Sequence, residues 1–137
     1  MTLFEWKQEN SVGVVEIDNQ HKHIFELINR LYDSISNQKT YEEIDKVLSE
    51  LVDYSKTHFK VEEDYFNQFN YINKDEHVVL HHYYIAKVAT FIIEKYSEKT
   101  KFALSLEVID FLEDWWINHI NFEDKKYTET FHQHGVF

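Results

Sequence analysis

The chain has no cysteine and no proline, and only two glycines among its 137 residues. Without cysteine there is no disulfide framework, no thiol nucleophile, no iron–sulfur ligation and no cysteine-bound zinc. With proline absent and glycine scarce, Pro/Gly-rich disordered chains are excluded and a turn-rich β-sandwich is disfavoured. Long apolar runs are missing too. The tightest is Val88–Ile93, interrupted by Thr90, far short of the roughly 18 residues of a membrane span. Basic residues are few: 14 Lys and Arg against 25 Asp and Glu give a net charge of −11. Such a balance argues against a nucleic-acid backbone as partner. The opening MTLFEWKQEN has neither the basic start nor the apolar core of an export signal, so the expectation is a cytoplasmic protein. What the chain has in plenty is rings: nine His, 11 Phe, nine Tyr and three Trp.

Apolar residues recur with helical period along four segments. About 18–37, Ile24, Phe25, Ile28, Leu31 and Ile35 share a stripe with His21, with Asp18 or Asn19 as the expected cap and Asn37 as the stop. About 41–69, Leu48, Leu51, Tyr54, His58, Glu62 and Tyr65 line one face behind Thr40. About 74–97, His77 and His81 lead into Tyr84, Val88 and Phe91; about 101–121, Val108, Leu112, Trp115 and Trp116 lead to His119. Connections are short, so neighbours run antiparallel. The expected fold is all-α. It is a single domain over residues 1–137, an up-down-up-down four-helix bundle about 18–121. An irregular arm (1–17) precedes the bundle and a short tail (125–137) follows it.

Five histidines fall on the apolar stripes: His21, His58, His77, His81 and His119. A lone histidine there is ordinarily a satisfied core residue. Five together need partners for many ring nitrogens, and a metal supplies one to all of them. His58 and Glu62 are four apart, as are His77 and His81, so each pair points the same way one turn apart. In an antiparallel bundle the start of helix one, the end of two, the start of three and the end of four share one end. All six residues lie at those alternating ends. Asp124, five residues after His119, lies about 140° off that helix face and reaches the layer only if the helix ends near Asn121 and turns inward. Five imidazoles and two carboxylates exceed the needs of one four-coordinate zinc. They suit two bridged first-row ions, one of them left short of ligands and open to a small molecule. His23, His82, His132 and His134 read as surface residues.

The stretches VGVVEIDNQHKHIFELIN (12–29), HFKVEE (58–63), HVVLH (77–81) and WWINHINFEDKKY (115–127), with Trp6, resemble the hemerythrins, specifically their stand-alone bacterial members. The resemblance spans about residues 4–127. It implies a metal set of His21, His58, Glu62, His77, His81, His119 and Asp124. Two non-haem iron ions would be held there, one by His77, His81 and His119 and the other by His21 and His58. Glu62, Asp124 and a hydroxide or oxo group would bridge them. It also implies reversible O2 binding, for storage, transport or delivery rather than as an enzyme, with azide or similar anions able to enter at the open iron. Three positions depart from the family's habit: Trp116 stands where Leu is usual, Tyr65 where Met is frequent, and Tyr84 where Phe is frequent.

Two other readings carry weight. One is an oxygen- or redox-sensing module acting through a separate partner, for which no surface residue names the partner. The other is a weak di-iron peroxidase or oxidase. Ferritin-like oxidases use paired Glu-x-x-His motifs, and the only such spacing here, Glu129–His132, lies in the tail.

Overall fold

Residues 3–94 and 101–137 are described by the structure, a computed structural model. Four long helices follow one another: α1 (Val15–Ser36), α2 (Tyr41–Phe69), α3 (Lys74–Glu94) and α4 (Lys101–Asn118). No strand occurs among the described residues. α1 packs on α2 and α4, and α3 packs on the same two, which closes the antiparallel bundle expected from the periodicity. The expected residues 95–97 of helix three lie outside the described residues.

Local chemistry sets the helix ends. Thr40 caps α2 reciprocally: its hydroxyl accepts from the Glu43 N–H at 3.2 Å, and the Glu43 carboxylate accepts from the Thr40 N–H at 2.9 Å. α2 stops at Asn70, which takes the left-handed conformation that asparagine tolerates (φ 50°). α1 begins at Val15, earlier than the expected cap at Asp18 or Asn19. Asp18 sits inside the first turn and reaches backwards instead. One of its oxygens accepts from the Val12 N–H at 2.9 Å and the other from the Ser11 hydroxyl at 2.5 Å. It secures the arm rather than opening the helix.

The core runs through the middle of the bundle. Ile24, Leu27 and Ile28 of α1 meet Leu51 of α2, Val88 of α3 and Leu112 of α4, all buried. The arm docks Phe4 onto Phe25, stacked at 4.7 Å. Asn29 pins it there by exchanging two hydrogen bonds with the Phe4 backbone, at 2.8 and 2.9 Å.

The chain beyond α4, expected as a short tail, is folded. His119–Glu123 forms a π turn, Asp124–Tyr127 a 3-10 turn and Thr128–Gln133 a short helix, α5. Tyr127 and Phe131 are wholly buried, stacked on each other at 4.3 Å. α5 also holds the arm: the Thr128 hydroxyl donates to the Val12 carbonyl at 2.6 Å and His132 Nε2 to the Gly13 carbonyl at 2.7 Å.

Candidate metal centre

The bundle brings four helix ends together at one end. α1 contributes His21, α2 contributes His58 and Glu62, α3 contributes His77 and His81, and the π turn contributes His119 and then Asp124. None of the seven side chains is more than 3% exposed. Their donor atoms fall into two overlapping groups, each within 4.8 Å: Glu62, His77, His81 and His119 in one, and His21, His58, Glu62 and Asp124 in the other. Glu62 belongs to both.

Asp124 spans the two groups by its two oxygens. Oδ1 lies 3.1 Å from Nε2 of both His77 and His119, while Oδ2 lies 3.0 Å from Nε2 of His21. Glu62 Oε1 lies 3.3 Å from Nε2 of both His58 and His81. The π turn makes the Asp124 contacts possible. Its wide i→i+5 bonding carries the Asp124 N–H onto the His119 carbonyl. Residue i+5 is thereby brought back over residue i, which α geometry would have left about 140° away. The inward turn anticipated near Asn121 is made by this wide turn, which begins where α4 ends at Asn118.

A second layer fixes which ring nitrogens carry hydrogen. His58 Nδ1 lies 2.6 Å from Gln20 Oε1, and His81 Nδ1 lies 2.8 Å from Glu63 Oε2. Those oxygens only accept, so both Nδ1 atoms donate and both Nε2 atoms are turned inward. Tyr127 donates its hydroxyl to Glu62 Oε2 at 2.5 Å. Sequence reasoning assigned no role to Gln20, Glu63 or Tyr127, although each neighbours a ligand-type residue: Gln20 precedes His21, Glu63 follows Glu62, and Tyr127 closes the stretch after Asp124.

Electrostatics match the geometry. Burial and Asp124 push the Glu62 carboxyl upward, but His58 and His81 prevail and hold it far below its usual range. Asp124 is held down likewise, burial being overcome by His119, His21 and His77. Burial keeps His58 and His119 below the ordinary imidazole value and therefore neutral at pH 7. His81 goes the other way: burial opposes protonation, yet Glu62 and Glu63 raise it to about 9. Burial, Asp124 and Glu62 push the Tyr127 phenol well up, so it stays a neutral donor.

The donor set asks for positive charge. Among the described residues, Nε2 of His77, His81 and His119, Oε1 of Glu62 and both oxygens of Asp124 are buried without a hydrogen-bond partner. Inward ring nitrogens and carboxylate oxygens face one another at 3.0–3.3 Å. Buried acceptors so placed need protons or cations between them. The pattern suits a pair of cations sharing Glu62 and Asp124.

The departures sort cleanly. Trp116 is fully buried beside the two-histidine group, its ring 6.0 Å from His58 and 6.4 Å from His21. Tyr84 lies deeper, 5.3 Å from Trp116. Tyr65 faces outward and donates to Glu16 at 3.0 Å, so it does not line the cluster. His23 stacks edge-on against Tyr54 and His134 lies flat on Phe69. His82 is exposed, and His132 sits in the latch on the arm.

Residues 12–131 match the Hemerythrin HHE cation binding domain. The chain belongs to the hemerythrin family. Hemerythrins are di-iron proteins that bind O2 and are not enzymes. The chain is 32% identical to the bacteriohemerythrin of Clostridium acetobutylicum over 131 residues, covering 93% of this chain and all of that one. It is also 32% identical to the Pseudomonas aeruginosa bacteriohemerythrin over 129 residues, covering 94% of this chain and 82% of the relative. Among solved structures, wild-type hemerythrin superposes with a TM-score of 0.81 at 28% identity, covering 93% and 97% of the two chains. A variant of hemerythrin in which one leucine is replaced by tyrosine reaches 0.82 at 29% identity, covering 95% and 98%. No helix among the described residues is long and apolar enough to cross a membrane.

Proposed function

We propose that this hemerythrin carries two non-haem iron ions and binds O2 reversibly in the cytoplasm, storing or delivering it. His77, His81 and His119 would hold one iron and His21 and His58 the other, with Glu62, Asp124 and a solvent-derived hydroxide or oxo group as bridges. One observation carries this reading: the two donor groups share Glu62, Asp124 turns one oxygen toward each, and the histidines divide three to two. An ion held by two histidines would have one protein ligand fewer than its neighbour, which would leave room there for a small molecule. When bound, the iron pair supplies reversible electron exchange with O2.

The chain's own residues prepare the site. Glu62 and Asp124 bring negative charge that offsets two buried cations. Gln20 and Glu63 hold His58 and His81 with Nε2 inward, and the Tyr127 hydroxyl fixes the rotamer of Glu62. Phe59, stacked on His81 at 3.9 Å, and Trp116 seal the core side against water.

The test has two readouts. Elemental analysis of the purified protein is expected to give two irons per chain, and Glu62→Ala is expected to lower that content. A single metal per chain, or unchanged iron in the variant, counts against the shared carboxylate. Anaerobically reduced protein exposed to O2 should then show a visible absorption band that disappears when O2 is removed. A band that never reverses would make the protein an oxidase rather than a carrier.

A further inference from the structure

On the outer side of His119, a cleft of about 430 Å3 opens between α3 and α4. Leu80 and Tyr83 form one wall, Phe111, Trp115 and Phe122 the other, and His119 reaches the inner end. The volume falls in the range of small-molecule sites, and the lining is mostly aromatic. Tyr83 and Phe122 are 55% and 65% exposed, so broad ring surface stands open to solvent. The polar groups around it are Asp114, Asn118 and Glu123, with no cationic side chain in the lining. Lys126 lies against Glu123 at 3.1 Å, which leaves Asp114 as the free charge. With the chain at −11, an anionic ligand is disfavoured and a flat, uncharged ring with N–H groups at its edge is favoured.

Trp115 gives the cleft a connection inward. Its ring is stacked on His119 at 4.2 Å and 14°. One face of the indole therefore belongs to the cleft's wall while the other touches an imidazole whose far nitrogen points at Asp124.

We propose that this cleft binds a planar, uncharged electron carrier of the isoalloxazine class, stacked among Trp115, Tyr83 and Phe122 with its N–H edge toward Asp114 and Asn118. The inference rests on the di-iron reading above. A protein that binds O2 at ferrous iron is inactivated when both ions become ferric, and it then needs a reductant. A dihydro-isoalloxazine loses two electrons and two protons in becoming the oxidised ring. Each ferric ion takes one electron and becomes ferrous, and the protons leave to solvent at the open mouth. Trp115, stacked on His119, links the cleft to the metal layer on this side.

Riboflavin, which has the ring without a phosphate, is the probe. It is titrated into iron-loaded and metal-free protein while quenching of its fluorescence is followed. Saturable binding that weakens at least tenfold in both Trp115→Leu and Phe122→Ser supports the cleft. Phe122 is largely exposed, so its variant is expected to keep its melting temperature and iron content. Quenching that does not saturate, or that neither substitution changes, overturns the site. Photoreduced riboflavin is then mixed anaerobically with the ferric protein. Loss of ferric absorption should be at least fivefold slower in Phe122→Ser, while dithionite, which needs no cleft, reduces both proteins equally fast. Equal rates with riboflavin overturn the carrier role. Riboflavin bound in the cleft of a protein that holds no iron keeps the site and overturns the di-iron reading separately.

Discussion

Trp116 lies one helical turn before His119, and its polar contacts decide what it does there. The Ser55 hydroxyl donates to the Leu51 carbonyl at 2.7 Å, so the Ser55 oxygen can only accept from the Tyr84 hydroxyl, 3.0 Å away. The Tyr84 oxygen is thereby left as an acceptor. The Trp116 N–H approaches it closely enough to pull the phenol's pKa down, against the burial that lifts it to about 12, without a well-formed hydrogen bond. The indole N–H is thus drawn toward Tyr84, and what Trp116 presents to His21 and His58 is bulk. Trp116→Leu is expected to speed azide entry into the iron-loaded protein several-fold at unchanged iron content. Stopped-flow traces that overlay the wild type would assign Trp116 to packing alone. The histidines make a second prediction, for the metal-free protein. His58 and His119 sit below 6.5 in the fold, so under acid the unfolded chain takes up protons first and stability falls as pH drops below about 6.5. His81 is raised to about 9, so the fold holds the extra proton, and stability falls as pH rises from about 6.5 to 9. Melting temperatures across pH 5 to 9 should peak near pH 6.5, and Glu63→Gln should shrink the alkaline decline. A flat profile would contradict both assignments.

At the scale of elements, the C-terminal turn and α5 are structural, not appended. Phe131 is wholly buried against Tyr65, Phe66, Phe69 and Tyr127. Phe131→Ala is expected to cost about 3–5 kcal/mol in denaturant melts. Gly13 makes the latch to the arm sensitive. Its φ is +75°, and a Cβ there would meet the His132 ring and Thr128 at 3.2 Å. Gly13→Ala should destabilise by more than about 1 kcal/mol, through backbone strain and the disturbed latch together; an unchanged midpoint would mean the arm is not held. The four helices were legible because their apolar residues repeat over five or more turns. The clustering of histidines and carboxylates was legible because six of its members alternate helix ends. What was not legible has local causes. An i→i+5 turn leaves no mark in a 3.6 period, so the route that brings Asp124 to the layer could not be read. α5 is too short to show a period, so Tyr127 and Phe131 passed for tail residues. Asp18 has the chemistry of a cap but spends it on Val12 and Ser11, which shifted the start of α1.

For the whole molecule, the buried histidine–carboxylate layer concentrates unmatched polar groups at one end of the bundle. Iron-loaded protein should therefore melt well above metal-free protein, because the metal binds only the assembled layer. Coincident melting curves would sink that expectation. Acid should release the iron as the imidazoles protonate. The layer also joins distant parts of one chain: His21 and Asp124 approach to 3.0 Å although about a hundred residues separate them. A chain without cysteine has no covalent crosslink, yet metal ligation across this gap would cyclise about three-quarters of the polypeptide. A covalent link closing a loop of that length restricts the unfolded ensemble by on the order of 4–5 kcal/mol. Coordinate bonds would impose the same restriction for as long as they last, so the lifetime of the folded chain becomes tied to ligand exchange at the metal. A chelator should then act as molecular scissors, opening a ring rather than merely emptying a pocket.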